Sequence, residues 1–147
     1  MTLTFSPVRA DELDTLVAVR IEAMRESLER IGRFDPERAR QRFASGFAPE
    51  HTRHIVLRGE RVGFVTVKPM TEGLLLDHLY VRPKHQSRGI GAWALAEIFK
   101  EADAIGLPIR VGALRVSDSN RFYIRNGFLQ VEETEWDIYY ARPFRPR

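Results

Sequence analysis

The spacing of apolar positions changes period several times along the chain, and each change predicts an element. Leu3 to Val8 alternates as a strand does, interrupted near Pro7. From Ala10 onward Leu13, Leu16, Val17, Met24, Leu28 and Ile31 fall at helical intervals before Gly32. Acidic residues occupy the first turn of that helix, where the dipole favours them. Asp35 followed by Pro36 reads as a cap and a first helical residue, so a second helix runs from Pro36 to Ala44 and stops at Gly46.

Beyond His54 the period is that of strands. His54 to Arg58, a tight turn at Gly59-Glu60, and Arg61 to Lys68 form a hairpin. A further strand, Leu74 to Val81, ends where Pro83 forces Arg82 out of helical geometry. The next helix carries Gly91, Leu95, Ile98, Ala102 and Ile105 on one face and is stopped by Gly106 and Pro108. Ile109 to Val116 is a strand, Asn120 to Asn126 a short helix, and Phe128 to Thr134 with Trp136 to Ala141 a closing pair. The order β-α-α-β-β-β-α-β-α-β-β is α+β, with a crossover that makes strands 74–81 and 109–116 parallel.

Composition narrows the picture. At 147 residues, 44% apolar and 29% charged, the chain matches one globular domain, 1–147, able to bury a core without staples. The absence of cysteine excludes disulfides, thiolate metal sites and a cysteine nucleophile. The first residues lack the apolar core of a signal peptide and no apolar run reaches membrane-spanning length, so a cytoplasmic protein is expected. His51, His54, His78 and His85 form no ligand pattern with acids, and no metal is expected.

The net charge of +3 and pI near 9.6 raise the question of nucleic acid. Basic residues are spread along the chain among acids, however, without the aromatic and basic interleaving that single strands require, so no nucleic-acid partner is expected. The most basic run, Ala141 to Arg147, contains two prolines and reads as a solvated end.

Candidate chemistry is concentrated where the strand ending at Val81 enters a glycine-bearing loop that opens a helix. Amides at a helix start have no intrahelical acceptor and lie at the positive end of the dipole, so they suit a phosphate. Gly89 and Gly91 let a ligand approach backbone. No acid occurs between Asp77 and Glu97, whereas Arg82, Lys84 and Arg88 are basic. A triphosphate P-loop would need Gly-Lys-Ser/Thr, but Gly91 is followed by Ala92-Trp93; a dinucleotide fingerprint would need glycine at 94, where alanine stands.

Read as Gln86-x-x-Gly89-x-Gly91, the loop resembles the acetyl-coenzyme A signature of the GNAT acetyltransferase superfamily. Leu114 to Phe128 is similar to that family's second cofactor segment, a strand ending in a polar turn and a short helix bearing Tyr123 before Gly127-Phe128. The chain departs from the family at Ser117-Asp-Ser-Asn120, which leaves open whether Ser117 or Asn120 contacts the cofactor. The resemblance implies a GNAT fold, a mixed, mostly antiparallel sheet whose parallel strands splay to admit pantetheine. It also implies acetyl-coenzyme A as donor, held by Gln86, Ser87, Arg88, Gly89, Ile90, Gly91 and Ala92, with Leu79, Tyr80 and Val81 pairing with the pantetheine amides.

The reaction so implied is direct acetyl transfer to a primary amine through a tetrahedral intermediate. A free alkylammonium with pKa near 10.4 offers about one neutral molecule in two thousand at pH 7, so a base, a water chain or desolvation is required. Asp77, His78, Glu22 and Glu26 are candidate bases, and strand alternation sends Asp77 and His78 to opposite faces. By the resemblance, Tyr123 is the acid for the departing thiolate, and a backbone N–H at Val81 or its neighbour holds the oxyanion.

Met24, Phe34, Phe43, Phe47, Trp136 and Tyr139 are candidates for an acceptor pocket. Glu22, Glu26, Glu29, Asp35 and Glu133 are candidates for attracting its charge. The acceptor is a small-molecule or peptide amine, a protein N-terminus or lysine being the alternative, and a non-catalytic acyl-coenzyme A module is the reading outside enzymology. A homodimer is left open.

Overall fold

The computed structural model describes residues 2–146; Met1 and Arg147, the last residue of the basic tail, lie outside the described residues. The elements are β1 (Leu3–Pro7), α1 (Leu13–Arg30), α2 (Pro36–Ser45), β2 (Thr52–Leu57), β3 (Glu60–Met70), β4 (Gly73–Val81), α3 (Ile90–Ile105), β5 (Ile109–Leu114), α4 (Ser119–Arg125), β6 (Leu129–Glu133) and β7 (Asp137–Arg142). The fold is α+β, as expected, with strand order β1-β2-β3-β4-β5-β7-β6 and β4–β5 the parallel pair among the described strands. The residues divide into two compact units: one runs to Thr66 and includes His78–Gly91, the other comprises Val67–Asp77 and the chain from Ala92 onward.

In the first unit β1 pairs antiparallel with β2 from Leu3↔Leu57 to Pro7↔Arg53, and β2 pairs with β3 through the tight turn at Arg58-Gly59. Asp35 caps α2 by accepting the Arg38 amide at 3.1 Å, and Pro36 supplies the first helical residue without wasting a donor. Val8, Leu16, Val17, Val19, Phe43 and Phe64 form the core of this unit, with Tyr80 of β4 packed against it. Each such side chain contributes about 1.5–3 kcal/mol when removed from water. Gly63 permits a close approach: a Cβ there would overlap the carbonyl oxygen of Tyr80.

One cluster in this unit is polar and buried. Glu12 accepts the Arg9 amide at 2.9 Å, receives Arg61, and stands 3.3 Å from the Nε2 of the buried His54. The Arg9 amide, then His54 and Arg61, hold the Glu12 carboxyl down at about 2 against the opposing effect of burial. Burial pushes His54 below its ordinary value, opposed by Glu12.

In the second unit the parallel ladder joins Leu74, Leu75 and Leu76 to Ile109, Arg110 and Val111. β5 then pairs antiparallel with β7 from Ile109↔Arg142 to Leu114↔Asp137, and β7 with β6. Ala94, Leu95, Ile98 and Ala102 form the buried stripe of α3, while Tyr123, Phe128 and Tyr140 stack at 5.4 Å and 6.2 Å between ring centroids.

Two expectations are corrected here. Ile105, placed by spacing on the buried stripe, is 62% exposed, because it ends the helix just before the left-handed Gly106 turns the chain away. The expected solvated tail begins later than Ala141. β7 extends through Arg142, which is 4% exposed, donates to both carboxylate oxygens of Asp103 at 2.9 and 3.1 Å, and lies 4.0 Å over Phe99.

Candidate active site

The first unit carries the loop. Ser87 and Gly89 both take left-handed backbone, at φ 62° and 80°, with Arg88 between them. Glycine adopts this conformation freely and serine at a cost of about 1 kcal/mol. Gln86 to Gly89 are exposed, and Ile90 then buries as the first residue of the 16-residue α3. Among the described residues the amides of Ser87, Arg88 and Gly89 have no backbone or side-chain acceptor, whereas the Gln86 amide bonds to Pro83 at 3.2 Å. The result is a set of unpaired donors on exposed residues at the positive end of a helix, a chemistry that suits a diphosphate.

The loop is moored to β4. Gln86 donates its side-chain amide to the carbonyl of Val81 at 2.9 Å, and the Arg82 amide bonds Val62 at 2.8 Å. Leu79, Tyr80 and Val81 are half-buried. The basic residues around the loop are less available than a count along the chain implies, because acids arrive from other elements. Arg82 meets Glu22 of α1 at 3.2 Å, and Lys84 meets Glu60 of β3 at 3.4 Å. Lys84 is the main reason that Glu60 titrates below the ordinary carboxylate range. Local sequence holds no sign of these partners, since hairpin register and helix packing bring them in.

The candidate bases separate by unit. His78 lies among rings, with centroids 4.8 Å from Phe43, 6.3 Å from Phe64 and 5.7 Å from Tyr80, all in the first unit. Asp77, in the second, is paired with Lys68 at 2.9 Å. Glu26 is engaged by Arg30 at 3.3 Å on the exposed surface of α1. Of the aromatics proposed for a pocket, Phe43 is a core residue, Phe47 packs against that core, Phe34 stacks with Arg25, and Trp136 is exposed.

In the second unit the polar turn after β5 is built by the two residues that the sequence left as alternatives. Ser117 Oγ accepts the Ser119 amide at 3.1 Å. Asn120 Nδ2 donates to the carbonyls of Leu114, Arg115 and Ser117, and its Oδ1 accepts the Tyr140 hydroxyl at 2.7 Å. The side-chain amide of Asn120 thus ties the end of β5 to the start of α4. Tyr123 is buried one turn on, 5.4 Å from Phe122 and Phe128, while Phe122 is only half-buried.

A family model described as the acetyltransferase (GNAT) domain matches residues 50–130. That span takes in both cofactor segments. No curated protein matches the chain, but many solved structures do. The PaiA N-acetyltransferase of Thermoplasma acidophilum, solved with coenzyme A, superposes with a TM-score of 0.81 at 19% identity over 98% of this chain and 100% of its own. An acetyltransferase of Thermus thermophilus gives 0.74 at 23% identity over 98% of both chains. The ribosomal-protein-S18-alanine N-acetyltransferase of Escherichia coli gives 0.70 at 18% over 99% of this chain and 96% of its own. At these identities the likeness establishes the fold, and with more than half of the chain matched by the family model, the protein belongs to the GNAT acetyltransferases and is an acyltransferase.

Proposed function

We propose that the protein transfers an acetyl group from acetyl-coenzyme A to a primary amine, directly and without a covalent enzyme intermediate. One observation supports this most: the amides of Ser87, Arg88 and Gly89, exposed residues with left-handed backbone at Ser87 and Gly89 ahead of α3, have no acceptor among the described residues. Residues Gln86 to Ala92 bind the diphosphate in this reading. The donor supplies an acetyl thioester; the chain binds, orients and moves protons.

Leu79, Tyr80 and Val81 are proposed to pair with the pantetheine amides. Support comes from a parallel ladder of three residue pairs, formed by a nine-residue and a six-residue strand. The amides of pantetheine can pair with strand backbone as a neighbouring strand would. An oxyanion takes hydrogen-bond donors, so the Val81 amide or a neighbour's is the group assigned to it.

Tyr123 is proposed as the acid for the thiolate, on the strength of its place in the second family segment and its fixed ring, stacked with Phe128 and Tyr140. For the base we favour His78 over Asp77. The Asp77 carboxylate is taken up by the Lys68 ammonium at 2.9 Å, whereas the His78 imidazole lies among the rings of Phe43, Phe64 and Tyr80.

Asn120 is assigned a supporting part, shaping the turn that carries Tyr123. Calorimetric titration with acetyl-coenzyme A tests the donor. A panel of polyamines, amino acids and peptides, with transfer followed by mass spectrometry, tests the acceptor, small amine and protein N-terminus alike. Binding of the donor without transfer to any amine would leave the non-catalytic module standing and contradict the enzyme reading.

A further inference from the structure

His85, one residue before the diphosphate loop, is buried at 7% exposure although it ends an exposed 3-10 turn, Pro83–His85. Its ring lies between two charged groups. Nδ1 stands 3.2 Å from a guanidinium nitrogen of Arg88, and Nε2 stands 3.5 Å from a carboxylate oxygen of Glu60. Arginine has donors only and keeps its charge, so an Nδ1 that takes it presents a lone pair and the ring proton sits on Nε2, a buried atom without a hydrogen-bond partner on the side of Glu60. The residues thus run carboxylate, imidazole, guanidinium, each polarising the next.

We propose that His85 is a positioning residue for the donor site: its Nδ1 holds the Arg88 guanidinium beside the free loop amides, so that one cation is in place before a phosphate arrives. Arg88 is otherwise a long exposed side chain with many rotamers, and ordering it only on binding would weaken the complex. Glu60, shared with Lys84, adds a negative charge behind the ring at 3.5 Å from Nε2. The inference rests on the reading of loop 86–92 as a diphosphate site.

The test is coenzyme A titration of wild type, H85N, H85L, R88A and the double variant H85L/R88A, together with nitrogen-15 spectra of the histidine rings in the unliganded protein. We expect H85L to bind about fivefold to tenfold more weakly, a loss of about 1–1.4 kcal/mol. H85N, whose side-chain oxygen replaces Nδ1 as acceptor, should bind within about twofold of wild type. The double variant should bind no more weakly than R88A, since His85 acts through Arg88. The His85 ring should show its proton on Nε2, and R88A should shift that signal.

Multiplying losses in the double variant, an H85L affinity equal to wild type, or a ring signal indifferent to R88A would each overturn the proposal. Should H85L fold poorly, the H85N affinity and the ring spectra decide alone. Absence of coenzyme A binding by wild type would instead remove the underlying site, an outcome distinguished by its appearance before any variant is made.

Discussion

At the scale of residues, two positions separate chemistry from architecture. The Tyr123 ring meets Phe128 edge-on and Tyr140 at a tilt, and replacing its hydroxyl by hydrogen leaves those ring contacts in place. Tyr123→Phe is therefore expected to lower turnover about 10²-fold or more, the range for loss of a general acid, with coenzyme A affinity and melting temperature nearly unchanged. Steady-state rates beside a calorimetric titration check this, and unaltered turnover would remove the acid role. Gly89 has no atom within 4 Å of where a Cβ would lie, so a side chain there meets no clash in the free protein. Its φ of 80° is the obstacle. Gly89→Val should weaken coenzyme A binding by tenfold or more, as strain of at least about 1–2 kcal/mol moves the loop amides, with a smaller loss of thermal stability.

Elements show where the sequence is legible and where it stops being so. Among the described residues seven strands and four α-helices appear in the predicted order with ends displaced by up to three residues, the most at α1, whose expected first turn, Ala10–Glu12, is 3-10 helix; the period changes, Pro36, Pro83 and Gly106 mark the ends locally. Arg142 reads locally as tail, since proline at 143 is a near signal while its β5 partner, Ile109, and its ion partner, Asp103, lie more than thirty residues away. Arg142→Ala should cost about 1.5–3 kcal/mol in urea unfolding, the range for hydrogen bonds to a charged group, so an unchanged midpoint would contradict the buried pair.

The Glu12–His54–Arg61 cluster, equally invisible to local pattern, joins the turn before α1 to β2 and β3 and makes stability depend on pH. Glu12 titrates at about 2 when folded and near its ordinary 4.5 when unfolded, so its contribution is present above 4.5 and lost as pH falls toward 2. His54, pushed down by burial, binds its proton more readily in the unfolded chain, so stability also falls as pH drops below about 6.5. Urea midpoints should decline from pH 7 to pH 4, and Glu12→Gln should flatten the part below 4.5. A midpoint rising on acidification would contradict both assignments.

For the molecule as a whole, family membership is written in two short segments that share little but backbone requirements: glycines at a helix start, and a polar turn before an aromatic helix. Those requirements are local, so the two family segments, both within the matched residues 50–130, are readable from one sequence. Acceptor choice is not, because it depends on side chains brought together by tertiary packing, which no local pattern marks. Glu22, a candidate for attracting an amine, is already engaged by Arg82, and no helix among the described residues is long and apolar enough to cross a membrane. Narrower than the choice of acceptor is the role proposed for the loop: the amides of Ser87, Arg88 and Gly89, at the start of α3, hold the diphosphate of an acyl donor. Backbone amide spectra recorded during a coenzyme A titration test it most directly. The account predicts saturable shifts largest at Ser87, Arg88, Gly89 and the first residues of α3; binding that leaves those amides unmoved while others shift would contradict it.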